Sequence, residues 1–180
     1  ALQLLVQALP LVADEDNKND VAGFHWNLAH CLLFGQLYQN AWRLQLLTDL
    51  NDLPDYQKGY HHSHGSPAPV DAAGNPIFHY SVAQWSDAQT DGERWRWLMV
   101  QAVELNPALE TSVKTRFADF LYQQFGVQTM QHYGYPWGRQ SDDDGDQDES
   151  GPYAVHTLGD GEFISRTAIG IRRFELPNEF

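Results

Sequence analysis

Asp91-Gly92-Glu93-Arg94-Trp95-Arg96-Trp97-Leu98-Met99-Val100-Gln101-Ala102-Val103-Glu104-Leu105-Asn106-Pro107 is the stretch whose pattern decides the architecture. Trp95, Leu98, Met99, Ala102 and Leu105 recur at steps of three and four, which predicts a helix over residues 91–105 with those side chains inward. Pro107 forces Asn106 out of helical geometry and opens the next helix. That helix, over residues 108–125, carries Leu109, Val113, Phe117, Phe120, Leu121 and Phe125 at core spacing until Gly126 ends it.

Upstream, Val21, Phe24, Leu28, Cys31 and Leu32 predict a helix over residues 20–34, with Asp20 capping its start and Gly35 its end. Leu37, Ala41, Leu44, Leu47 and Leu50 repeat the rhythm over residues 37–50, and Pro54 forbids continuation. These two helices form an αα-hairpin. Residues 2–13 read as a further helix kinked or broken at Pro10. A last helix is predicted over residues 161–174, with Phe163, Ile164, Ala168, Ile171 and Phe174 inward and Arg172 and Arg173 near its negative end. The expected core includes Phe24, Leu28, Leu44, Leu47, Leu98, Phe117, Leu121 and Ile164.

Two insertions interrupt the helices. The first begins after Asp52, where Gly, Pro, His and Tyr replace Leu and Ala; within it, residues 68–78 predict a small β-hairpin turning at Gly74-Asn75. The second contains Ser141-Asp142-Asp143-Asp144-Gly145-Asp146-Gln147-Asp148-Glu149, a density of like charge that favours solvent. The fold class expected is mainly α: helical hairpins with two long loop insertions and a small β-hairpin. The 180 residues divide into a first hairpin region (1–51), an insertion (52–90), a second hairpin (91–132), an acidic loop (133–160) and a terminal helix (161–180). Starting at Ala1, the chain reads as a piece of something longer.

Lys and Arg number 11 against 24 Asp and Glu, a net charge of −13 without any basic run, which argues against nucleic acid and anionic lipid as partners. No apolar run approaches the roughly 20 residues that span a bilayer, so no membrane insertion is expected. Cys31 is the only cysteine; it excludes an internal disulfide, and on an apolar helix face it reads as inert core.

Among residues able to hold a transition metal, His61, His62 and His64, with His79, form the most suggestive cluster, since neutral imidazoles bind zinc, copper or nickel. Their spacing is no known catalytic one, and a solvated loop packed by Tyr56, Tyr60 and Tyr80 is the preferred reading. His25 and His30, five residues apart on a helix, diverge and read as core or groove hydrogen-bonders. For calcium, Asp142, Asp144 and Asp146 supply carboxylates, but in an EF-hand register Gln140 and Gly151 fall where the leading Asp and the bidentate Glu belong. No nucleophile elbow or phosphate loop occurs, so no catalytic residue and no cofactor is assigned. Of the six tryptophans, Trp95 and Trp97 point to different faces of one helix and Trp85 and Trp137 lie in loops. Glycan stacking is one reading of the loop indoles; packing onto the helical body is preferred.

Ala102-Val103-Glu104-Leu105-Asn106-Pro107 resembles the close of a tetratricopeptide repeat, and the first hairpin is a degenerate version in which Trp42 replaces a small residue. On a larger scale Asp91-Gly92-Glu93-Arg94-Trp95-Arg96-Trp97, Gln124-Phe125-Gly126-Val127-Gln128-Thr129-Met130 and Arg173-Phe174-Glu175-Leu176-Pro177 resemble the helical repeat region of large bacterial α2-macroglobulin-like envelope proteins. That family's Cys-x-Glu-Gln thioester is not matched by Cys31-Leu32-Leu33-Phe34. The resemblance implies a non-enzymatic scaffold or protein-interaction segment in the periplasm or cell envelope, whose partners are neighbouring domains of the same chain or another polypeptide. The alternatives are a metal-binding module or metal-dependent enzyme built on the histidine loop, and glycan binding.

Overall fold

The computed structural model describes residues 2–33, 44–50, 68–125 and 157–175. The elements described in full are α1 (Leu2–Val12), α2 (Lys18–Leu32), α3 (Asp91–Leu105) and α4 (Glu110–Phe125), with an antiparallel pair of strands, β1 (Glu162–Thr167) and β2 (Gly170–Glu175). The chain is mainly helical, as its periodicity requires.

α2 begins two residues before the expected start because Asn17, not Asp20, caps it: the Asn17 side chain accepts from the Asn19 amide at 3.1 Å, and its Nδ2 donates to Asp20 at 2.7 Å. Its buried stripe is Val21, Ala22, His25, Leu28, Ala29 and Leu32. Thr90 caps α3 by accepting from the Glu93 amide at 3.1 Å, while the Glu93 carboxylate reaches back to the Gln89 amide at 2.6 Å, a variant of the capping box. Asn106 closes α3 through its amide on Ala102 and starts a single 3₁₀ turn, Pro107–Leu109, by accepting from the Ala108 amide. α4 follows directly. The two helices expected on either side of Asn106-Pro107 are thus present, with the proline at the break.

The core lies chiefly where α2 packs on α3. Leu28, Ala29, Leu32 and Leu33 meet Trp95, Leu98 and Met99, joined by Leu44, Val113 and Phe120. Leu5, Val6 and Leu9 of α1 pack against this cluster; Pro10 stands in the helix's last turn, where it removes only the bond to the Val6 carbonyl. Phe24, Phe117 and Leu121, expected as core, are half-buried side chains leaning on the cluster.

Two expectations fail. Residues 161–174 form a β-hairpin instead of a helix. Gly170, at φ +116°, has a conformation no helix contains, and a two-residue turn at Ala168-Ile169 sets Phe163 opposite Phe174 and Ile164 opposite Arg173. Aromatic and β-branched residues at 163, 164, 167, 171 and 174 satisfy both a helical stripe and strand pairing, and cross-strand contacts decide between them. Secondly, helix does not run to residue 50: it ends at Leu44, and residues 45–50 turn toward the start of α3. Leu47, predicted as core, is consequently 50% exposed, whereas Leu44 and Leu50 are buried. Residues 68–78 form the expected hairpin in minimal form: the antiparallel bridge Val70 to Pro76 is flanked by bonds from the Asp71 amide to the Asn75 carbonyl at 2.8 Å and from the Ile77 amide to the Pro69 carbonyl at 3.0 Å. Its centre is Asp71, whose carboxylate accepts from the amides of Ala73 at 2.8 Å and Asn75 at 2.9 Å. These bonds, led by that from Asn75, hold the Asp71 carboxyl below the usual carboxylate range. Ala68 joins the reversal to the sheet by accepting from the Ala168 amide at 2.9 Å.

Candidate functional site

The start of α3 gathers most of the buried polar side chains. Asp91 lies in its first turn, and its carboxylate takes the Thr48 amide at 3.2 and 3.3 Å, the Thr48 hydroxyl, and Arg94 Nη1 at 2.9 Å. Arg94 Nη1 also donates to the Thr48 carbonyl at 2.8 Å, and the Asp91 amide donates to the Leu46 carbonyl at 2.7 Å. This knot fastens residues 46–48 to α3 across 43 positions of sequence. These three donors, at the positive end of a helix, occupy the carboxylate and fix its position. Trp85 covers it: the Arg94 guanidinium lies over its ring at 5.3 Å, and the indole meets Trp97 edge to face at 5.8 Å. Trp85 therefore packs a loop onto the helical body.

One turn further along, α3 presents Arg96, which is only 5% exposed. Its guanidinium carbon stands 3.8 Å from the centre of the Phe117 ring. Burial lowers its pKa to about 10. His79 lies on the same part of the molecule, packed against Gly92 and 6.1 Å from the Phe120 ring; burial, followed by the Arg96 charge, lowers its pKa to about 4. His79 is thus a neutral, enclosed imidazole at ordinary pH.

Of the metal candidates, only His79 falls among the described residues; His61, His62 and His64 lie outside them, as do Asp142, Asp144 and Asp146 and the whole acidic run. Among the described residues no three His, Cys, Asp or Glu side chains gather as a metal site would need. His25 and His30 do diverge. His25 is buried, with its ring edge to face against Phe24 and Trp97 and its Nδ1 without a hydrogen-bond partner among the described residues. His30 meets Trp26 with ring centres 4.2 Å apart and the planes tilted by 57°. Burial pushes both histidines below their ordinary pKa, with Arg116 adding to the effect at His30. Cys31 is half-buried, not enclosed.

Sequence reasoning missed Asp91 and Arg96. A signal for Arg96 exists: it stands four residues after Gly92 and three before Met99, on the buried side of α3. For Asp91 there is none, because its partner Thr48 is remote in sequence. Among the described residues no helix is long and apolar enough to cross a membrane. No protein-family model, curated protein or solved structure matches this chain.

Proposed function

We propose that this chain is a non-enzymatic helical scaffold or protein-interaction segment, of degenerate tetratricopeptide-like type, within a large secreted or periplasmic α2-macroglobulin-like protein of the cell envelope. The observation that carries the reading is the outer face of α1. Leu4 and Leu11, two turns apart, are 72% and 77% exposed while Leu5, Val6 and Leu9 face the core. Leu46 and Leu47 add exposed apolar surface on the segment after Leu44, and Leu47 lines the same hollow as Val6 of α1. Large apolar side chains left to water around such a hollow suit a protein neighbour. The Asp91 carboxylate, by contrast, is spent on internal fastening.

The test compares hydrogen exchange of α1 and residues 44–50 in this chain alone with that in a longer product of its own coding sequence. A scaffold segment gains protection there and holds no stoichiometric zinc, copper or nickel. Unchanged exchange, or one equivalent of such a metal in the purified protein, overturns the proposal.

A further inference from the structure

A groove of about 320 Å³ runs between α3 and α4. Its walls are apolar: Met99, Val100 and Val103 come from α3, and Val113 and Phe117 from α4. Arg96 also lines it. At the exposed edge, Lys114 is already paired with Glu110 at 2.5 Å, and Glu104 accepts from Gln101 at 2.7 Å. Among the described residues Arg96 has no such partner. Its Nε is buried without an acceptor, and no carboxylate, carbonyl or hydroxyl of the described residues bonds its guanidinium. The Phe117 ring face offsets part of the charge, but a ring accepts none of the in-plane N–H bonds that a guanidinium offers.

We infer that this groove is a binding site for a small amphiphilic monocarboxylate, a medium-chain fatty acid or a molecule of that chemistry, whose carboxylate pairs with Arg96 while its hydrocarbon body lies along Met99, Val103 and Phe117. A charged side chain only 5% exposed, with its Nε buried and unpartnered, is costly without a counter-ion, and a carboxylate is the anion whose two oxygens match its fork. At neutral pH the group is still charged, since burial lowers its pKa only to about 10. The groove's size falls at the lower end of the roughly 300–1,000 Å³ typical of small-molecule sites, and its character, apolar walls with one buried charge, Arg96, and exposed charges at the edge, is theirs too. Glu104 and Glu110, in a molecule at −13, repel polyanions such as phosphate esters, so one negative charge on an apolar body is the favoured composition. An ammonium ligand meets Arg96 with like charge. A neutral alcohol fills the groove but leaves the guanidinium unpaired.

Calorimetric titration with sodium octanoate, octan-1-ol and octylamine, each below its aggregation limit, tests the inference. Octanoate binds saturably at one site, octanol at least about tenfold more weakly because the charge-assisted bonds are missing, and octylamine does not bind. In Arg96→Met, octanoate affinity falls to that of octanol while octanol affinity is kept. Val103→Trp, which fills the groove without touching Arg96, abolishes binding of both. Should Arg96→Met not fold, the ligand series and Val103→Trp decide. Equal affinity for octanoate and octanol, octanoate binding unchanged in either variant, or no saturable octanoate binding overturns the site.

Discussion

The His79 ring occupies the space that a side chain at residue 92 would fill. A methyl group on Gly92 would stand 2.0 Å from His79 Nδ1 and 2.3 Å from Cγ, far inside contact distance. Glycine in the first turn of α3 is thus a packing requirement, and it lets a segment thirteen residues upstream lie flush on the helix.

Gly92→Ala and Gly23→Ala should therefore shift stability in opposite directions. At Gly92 the added methyl displaces an enclosed ring, at about 1–3 kcal/mol or more. Gly23, inside α2, has nothing within 4 Å of a Cβ, and alanine there should stabilise by about 0.5–1 kcal/mol. Urea unfolding of both variants reads the signs; a harmless Gly92→Ala would show that the His79 contact is not formed.

Acid should weaken the fold through His79. Its pKa is about 4 in the folded chain against 6.5 unfolded, so between these values the unfolded chain binds the extra proton and stability falls as pH drops. The contribution is complete above the unfolded value and lost by about pH 4, and is worth about 3 kcal/mol. His25, lowered by its own burial, acts in the same direction. His79→Leu keeps the apolar packing without the titration, so its urea midpoint should depend less on pH over that window. Parallel curves for variant and parent would refute the assignment.

Breaking the Asp91 knot should cost more than any exposed ion pair in the molecule. Asp91→Asn leaves the largely buried Arg94 without its counter-ion, for about 3–5 kcal/mol. Thr48→Val removes one hydroxyl donor, for about 1–2 kcal/mol. The double variant should be less destabilised than the sum, because both act on one carboxylate. Strict additivity would mean that Thr48 and Asp91 do not interact in solution. Lys114→Ala, at an exposed pair, should change stability by under about 1 kcal/mol.

Leu44→Ala and Leu47→Ala separate the two leucines that periodicity treats alike. Leu44 is 1% exposed, within the main cluster, and its truncation should cost about 2–5 kcal/mol. Leu47 is half exposed, and its truncation should stay within about 0.5 kcal/mol. Thermal melts of the two single variants distinguish them; equal losses would restore Leu47 to the core.

Local chemistry in the chain was enough to specify α1 to α4. Steps of three and four, Thr90 and Glu93 at one helix start, and Asn106-Pro107 at one break act within a few residues of the backbone they direct. Helix position and inward face could accordingly be read for α2, α3 and α4. Three outcomes depended on distant partners. Residues 162–175 carry a pattern that suits helix and strand equally, and the Phe163–Phe174 pairing across Gly170 selects the strand. The helix before Leu50 stops at Leu44 because Asp91 captures the Thr48 amide and hydroxyl, a contact that no window of local sequence contains. The spacing of Arg96 from Gly92 and Met99 places it on the inward side of α3 but does not say what it meets there. Only the seating of α4, with Phe117 beneath the guanidinium, turns it into a buried charge beside an apolar groove, because burial and pairing depend on what else occupies the surrounding volume.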